Sequence, residues 1–564
     1  VHGNKTLTTL YRYLALLLCI AGISGVARAQ CTYPVRRYAT SQQVNAGALT
    51  SVTNPTNAAD GNITTYSVIN RPLGVGSLIT VTQFLSFSSQ IISGTPVTVK
   101  VNIPASLVAL LGGVTIQPFT GLKNDISTGF TWQATAAGSA TTLSSLVGVA
   151  NGAGDMELTI TPTANYDGVW VTMSGVAIGQ SMNLYDAYVM QATPAVADCG
   201  TALDVLSGVR AGGVSLVNAT GSVTNPTNAI DNSLSTYATL NLGAQVLSEV
   251  YLTAIFNTPS QPGDVVRMIL QNNSGSGVIN LGALSNFTIQ LYNGSTAVGA
   301  PILSNSTNLS LTLLPGTTGN EEYQLDIKSL PTGTAFDRVD IQLGGVAAVG
   351  TALRIYDIKR LPATPVTTIG GTVAASQTIC QGSTATLAIN NAQPNCTTYS
   401  WYSTATGGTA ITTGTSYTPP AGSLSTTAAN TYYVQASRTG CTEVSDRIPV
   451  TINVNPAPTI TNSAIPRTCK GTTTASMPYT SSNAPTSYSI VWDPPAITAG
   501  FVNITDAVLP PGAITVAVPA GAAAGTYTGI ITVKNGTTTC SSTGLPFSVI
   551  VDTKPTQPVV NVTL

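Results

Sequence analysis

The chain has 564 residues, 21 Lys+Arg, 22 Asp+Glu and a net charge of −1, so only 8 % of it is charged, against the usual ~25 %. No basic field exists to neutralise phosphates, which excludes a nucleic-acid-binding class. The one histidine is His2, so beyond the extreme N-terminus no Ser-His-Asp, Cys-His or His-ligated zinc site can be built. Carboxylate-pair hydrolysis stays formally open. The five glutamates, Glu157, Glu249, Glu321, Glu322 and Glu443, nevertheless gather into no acid/base pair, and the expectation is a chain that is not an enzyme.

Lys5 and Arg12 precede an apolar run, Tyr13 to Val26, followed by Ala27-Arg28-Ala29. This is the layout of a signal peptide over 1–29, with Gln30 first in the mature chain. The run is shorter than the ~20 residues a spanning helix needs. Gln30 is not the small residue that a lipid-attachment site wants before Cys31. The expected location is therefore secreted or cell-surface, in a bacterium, with no membrane span after cleavage.

Asn54-Pro55-Thr56-Asn57-Ala58-Ala59-Asp60 recurs as Asn225-Pro226-Thr227-Asn228-Ala229-Ile230-Asp231, and Leu184-Tyr185-Asp186 recurs as Ile355-Tyr356-Asp357, both at an offset of 171. Tyr166-Asp167-Gly168-Val169 matches Phe336-Asp337-Arg338-Val339. A period this long means two whole domains, over 30–197 and 198–362. Within them Val97–Ile103 and Val339–Leu343 alternate apolar and polar residues, Asn151-Gly152 and Asn293-Gly294 mark turns, and helical periodicity is nearly absent apart from 105–111. The pattern is all-β, a tandem of β-sandwiches. Pro362-Ala363-Thr364-Pro365 reads as a linker. Two further units follow at 363–456 and 457–553, and 554–564 reads as a linker into a possible further domain.

Seven cysteines lie beyond the leader: 31, 199, 380, 396, 441, 469 and 540. Export makes disulfides plausible. Cys31 and Cys199 bracket the first repeat; Cys380 with Cys441, and Cys469 with Cys540, bracket most of the last two units. These three pairs are the expectation, with Cys396 spare, and the alternative joins Cys396 to Cys441. Trp401 and Trp492 sit mid-strand, where a sandwich buries a large aromatic.

The last two units resemble the immunoglobulin-like modules of secreted Bacteroidetes-type surface proteins, through Ile379-Cys380-Gln381-Gly382, Trp401-Tyr402, Thr431-Tyr432-Tyr433-Val434, Cys469-Lys470-Gly471-Thr472 and Ile530-Ile531-Thr532-Val533. That resemblance implies spacers. The first two resemble discoidin-type domains, also found as carbohydrate-binding modules, through Ala58-Ala59-Asp60-Gly61-Asn62-Ile63-Thr64-Thr65-Tyr66 and the closing Leu184–Val189. It implies jelly-roll sandwiches and a structural calcium, held by Asp60, Gly61, Asn62, Thr65 and Asp186, and in the copy by Asp231, Asn232, Ser233, Thr236 and Asp357, with oxygen donors of the kind calcium takes. Tyr66 and Tyr237 stand where that family has Trp, and Asn232 replaces Gly. The competing reading of each Asp is a turn in which it satisfies local N–H groups. Phe119, Phe130, Trp132 and Tyr292 are residues for ligand contact or for core, and no ligand residue is assigned.

The expected function is a non-catalytic adhesin, the discoidin-like pair binding a polysaccharide or cell-surface glycan and the immunoglobulin-like units acting as spacers. The alternatives are a purely structural stretch of a longer adhesin and the non-catalytic arm of a polysaccharide-degrading enzyme.

Overall fold

The computed structural model describes residues 33–556 except 48, 72–79, 105–112, 127–130, 143–151, 175–178, 194–198, 212–220, 243–247, 273–286, 304–305, 315–321, 328–333, 345–351, 394–395 and 421. The expected signal peptide over 1–29, Cys31, Phe130, Asn151, the 105–111 segment and 557–564 lie outside the described residues. The fold is all-β, with tandem sandwiches. It divides into two compact units, one of 1–364 with 393–398 and 436–446, the other of the remainder.

In the first unit one strand order occurs twice. Ser51–Thr53, Ser67–Arg71, Gln180–Thr193, Val97–Ile103 and Gly152–Ile160 are neighbours in that order, as are Gly221–Thr224, Ala238–Leu242, Ala352–Leu361, Val265–Asn272 and Glu322–Ile327. The opposing layers match likewise, Ser41–Ala46, Val81–Ile91, Tyr166–Met173, Val114–Asn124 and Trp132–Ala136 against Ala202–Ala211, Ser248–Phe256, Arg338–Gly344, Phe287–Asn293 and Thr296–Leu303. Apolar positions of period two fill each core: Ile69, Val99, Val101, Ile116, Val171 and Leu184 in the first; Leu240, Leu252, Met268, Phe287, Leu325 and Ile341 in the second. The Asn293-Gly294 turn closes a hairpin in which Asn293 faces Thr296.

The two sandwiches share a sheet. Gly152–Gly154 pairs antiparallel with Gly208–Arg210, which makes an eleven-stranded sheet among the described residues. Glycine is required at this junction. A Cβ on Gly154 would lie 2.3 Å from the Ser207 carbonyl oxygen, and one on Gly208 2.1 Å from that of Ala153. The alternation of Val97–Ile103 implies one solvent-facing side. Instead Thr98 and Lys100 are buried, because the shared sheet brings the second sandwich over that side.

The second unit holds two smaller sandwiches. In each a short strand pairs parallel with the last one: Ser376–Cys380 with Ile448–Asn455, and Arg467–Cys469 with Leu545–Asp552. Trp401 and Trp492 are core residues. Trp492 packs among Ile490, Phe501, Ile531 and Phe547. The segment Pro362–Pro365 carries no regular secondary structure, and Pro362, Ala363 and Pro365 are buried.

The disulfides differ from the expected pairs: Cys199 bonds Cys441 and Cys380 bonds Cys540. Cys396 is also disulfide-bonded, and Cys469 is free and exposed. The expected Cys380–Cys441 and Cys469–Cys540 bridges fail on geometry. Cys380 is in register with Asn455 and Cys469 with Asp552, each at the far end of an eight-residue last strand. Cys441 and Cys540 sit on the hairpins that precede those strands. Eight residues at ~3.3 Å each separate the ends by about 25 Å, and a disulfide needs Cα atoms within about 7 Å. Cys199, expected to bond Cys31, is taken by Cys441, which also removes the Cys396–Cys441 alternative.

Candidate functional site

The shared sheet creates a buried charged seam within the first unit. Arg36, on Tyr33–Tyr38, donates to Glu157 Oε1 and to Asp204 Oδ2, both at 2.7 Å. Lys100 Nζ donates to Asp204 Oδ1 at 2.7 Å. An Arg338 guanidinium nitrogen stands 2.8 Å from Glu157 Oε2. The Tyr188 hydroxyl donates to Glu157 at 2.8 Å, and the Arg36 guanidinium lies 4.0 Å over the Tyr188 ring. The side chains of Arg36, Glu157, Asp204 and Lys100 are at most 3 % exposed. Arg36, Lys100 and Glu157 come from the first repeat and Asp204 and Arg338 from the second, so the ion pairs cross the duplication.

Electrostatics in the seam follow from burial and partners. Burial pushes the Glu157 carboxyl up, but Arg36 and Arg338 together outweigh it and hold the group at about 2. Burial and then the Asp204 charge push Asp186 up to about 7. Neither Asp186 carboxyl oxygen has a hydrogen-bond partner. Asp155 is raised by burial, partly offset by hydrogen bonds from Asn102 and Tyr185.

The aspartate turns recur in detail. Asp60 Oδ1 accepts from the Asn62 N–H at 2.8 Å and Oδ2 from the Thr65 hydroxyl at 2.8 Å. Asp231 accepts from the Ser233 N–H at 2.9 Å and the Thr236 hydroxyl at 2.6 Å. Gly61 (φ 72°) and Asn232 (φ 60°) occupy the same left-handed position, which Gly and Asn tolerate best, so the Gly-to-Asn difference keeps the turn. The closing Leu-Tyr-Asp and Ile-Tyr-Asp runs are β-bulges: the register skips Tyr185 between Leu184 and Asp186, and Tyr356 between Ile355 and Asp357. A bulge re-aims a side chain, and here each extra tyrosine meets the tyrosine ending the turn. Tyr66–Tyr185 and Tyr237–Tyr356 lie 5.3 and 5.2 Å apart.

These contacts bear on the calcium expectation. Asp60 and Asp231 are engaged by their own turns. Asp186 lies in the seam, in the field of Asp204, Arg36, Lys100 and Glu157. Asp357 Oδ2 pairs with Lys359 at 3.1 Å. The Lys100 ammonium stands 3.5 Å from the Ile63 carbonyl of the first turn. Among the described residues no group of three or more His, Cys, Asp or Glu is placed to hold a metal.

A cleft of about 310 Å³ opens beside the seam, lined by Pro34, Tyr188, Met190, Phe256, Asp337 and Arg338 among others. Of the aromatics named from sequence, Phe119 is fully buried and stacks on Trp170 at 5.7 Å, while Trp132 and Tyr292 are half-buried. Sequence reasoning missed Arg36, Lys100, Asp204 and Arg338. The available signal was their rarity: in so uncharged a chain, Lys100 between Val99 and Val101, and Glu157 between Met156 and Leu158, interrupt core strands.

No curated protein sequence matches this chain. Among solved structures, a β-1,2-glucanase from Parabacteroides distasonis is similar at 12 % identity and a TM-score of 0.19, over 60 % of this chain and 37 % of the glucanase, so the match spans little more than a third of that enzyme. The adhesin domain of Epf from Streptococcus pyogenes is similar at 10 % identity and a TM-score of 0.19, over 45 % of this chain and 90 % of that domain. The three N-terminal domains of the bacteriophage RB49 highly immunogenic outer capsid protein match at 10 % identity and 0.23, over 60 % of this chain and 100 % of theirs. Likeness this low bears on no function. In sequence, residues 362–456 match the family described as Ig-like domain, CHU_C associated. That segment is an Ig-like domain of this type, set in an all-β, multidomain chain.

Proposed function

We propose that the protein is a non-catalytic, extracellular adhesin-type protein whose fused pair of repeats binds a neutral glycan beside the seam, while the Ig-like modules act as spacers. The observation that supports this best is the cleft itself. Its ionic groups are largely engaged in internal pairs, as Arg36 and Arg338 are on Glu157 and Asp204. What faces a ligand is mostly apolar wall with few polar groups, as in an uncharged ligand site. The Ig-like segment and the disulfides fit an extracellular setting.

The test is retention of the whole chain on a panel of insoluble neutral polysaccharides, with calcium and with chelator. Retention on one polysaccharide that Met190→Asp abolishes supports the cleft. Retention lost in chelator and restored by calcium, but not in a double Asp60→Ala, Asp231→Ala variant, supports calcium held at the two turns. Absence of retention throughout would sink the glycan reading and favour a structural role, which the cross-module disulfides also support.

A further inference from the structure

The two disulfides whose partners are described above obey one rule. Cys199, the leading cysteine of the second repeat, bonds Cys441, which lies on the hairpin before the last strand of the third module. Cys380, the leading cysteine of the third module, bonds Cys540, on the corresponding hairpin of the fourth. The hairpins are equivalent. In one, Ser437 bridges Val444 and the Ser445 N–H donates to the Ala436 carbonyl; in the other, Lys534 bridges Ser541 and the Ser542 N–H donates to the Val533 carbonyl. Both Cys199 and Cys380 are thus bonded one module onward, and neither to its own module.

Cys469 is the leading cysteine of the fourth module, and its setting reproduces that of Cys380. Cys380 ends a strand that runs parallel to Ile448–Asn455, and Cys469 ends one that runs parallel to Leu545–Asp552. The Gln381 N–H donates to the Asn455 carbonyl at 2.9 Å, and the Lys470 N–H to the Asp552 carbonyl at 2.8 Å. The Ser383 N–H returns to the Cys380 carbonyl at 3.0 Å, and the Thr472 N–H to the Cys469 carbonyl at 3.0 Å. The backbone position is the same, yet Cys469 is free and exposed. Its own hairpin cysteine lies at the other end of the last strand and is already bonded.

We propose that Cys469 is a covalent attachment site for the hairpin cysteine of a further Ig-like module, the next rung of a disulfide ladder along the modules. Bond formation removes two thiol protons and two electrons. A disulfide-bearing protein oxidant of the export compartment takes the electrons and leaves as a dithiol while the Sγ–Sγ bond forms. An exposed partner-ready thiol suits this chemistry, which requires access for the attacking thiolate.

The test is disulfide mapping of the protein isolated from its native source. Free thiols are alkylated before unfolding, the protein is digested without reduction, and bridged peptides are sequenced by mass spectrometry. The expected result is an unalkylated Cys469 bridged to a cysteine outside the 564 residues, together with the Cys199–Cys441 and Cys380–Cys540 bridges. Electrophoresis with and without reductant then tells whether the partner belongs to the same polypeptide or to another. Alkylated Cys469, a Cys469–Cys540 bridge, or a bridge between Cys469 residues of two copies would each overturn the proposal. A Cys469→Ser variant should lose the new bridge while the other two remain, which separates the attachment role from a general failure to fold.

Discussion

Lys100 and Ile269 occupy the same place in the two repeats, each opposite the aspartate that follows the tyrosine bulge. In the first repeat the lysine reaches past that aspartate to Asp204 of the second repeat. In the second repeat the aspartate takes its cation from Lys359, two residues along its own strand. The turn, the bulge and the strand order were kept through duplication, whereas the charged side chains of the seam were not. A repeated scaffold can therefore fuse with its own copy through residues that the repeat does not contain. Those residues are what distinguish one sandwich from the other.

The sharpest way to break this asymmetry is Glu157→Ala. It takes one carboxylate from Arg36, which keeps Asp204, and the 2.8 Å partner from Arg338 in a buried site, and removing one partner of a buried pair costs about 3–5 kcal/mol. Urea unfolding of the whole chain should show that loss in the first unit, with little relief from added salt, because buried pairs are poorly screened. A loss under ~1 kcal/mol would mean that the seam is wet. Glu157 also sets a pH limit. Its folded value, about 2, is depressed below the ordinary value of 4.5. Its contribution is present above pH ~4.5 and lost as pH falls toward 2.

Asp186 has the opposite sign. Its folded value is raised from 3.8 to about 7, so the native state holds the proton more tightly than the unfolded chain. This contribution favours folding below pH ~4 and declines as pH rises to 7. Asp186→Asn should gain stability at pH 8, up to about 4 kcal/mol at ~1.4 kcal/mol per unit, and should flatten the melting curve between pH 4 and 7. Unchanged pH dependence would show that the carboxylate finds a partner in solution.

Lys100→Ile installs the second repeat's residue in the first. Arg36 still serves Asp204, so the expected cost is smaller, about 2 kcal/mol for one charged hydrogen bond. Equal losses for Lys100→Ile and Glu157→Ala would mean that the two cations do not share the load as described. The smallest effect belongs to the feature that does repeat: Asp60→Ala removes two exposed turn hydrogen bonds and should cost about 1 kcal/mol, matched by Asp231→Ala. Unequal costs in those two melts would mean that the turns have diverged.

The all-β class and the strand positions were legible from alternation, and Val97–Ile103 is a strand with the bounds its pattern implies. The aspartate turns were legible as a recurring motif, since a turn needs only residues close in sequence. So was the burial of Trp401 and Trp492. The bulge was visible only as the repeated Leu-Tyr-Asp and Ile-Tyr-Asp runs, whose meaning depends on the partner strand.

The sequence by itself determined the all-β class, the Val97–Ile103 strand and the recurring aspartate turns, because each rests on local periodicity or on neighbours in sequence. Tertiary structure alone decided which sulfurs meet and which charges are buried. Cysteine spacing carries no information about which end of a strand a residue occupies, so Cys469 and Cys540 bracket one module yet stand toward opposite ends of its last strand, about 25 Å long at ~3.3 Å per residue. Alternation likewise cannot say what covers the polar face of a strand. Lys100 reads as a solvated residue until a second sandwich closes over it and supplies Asp204.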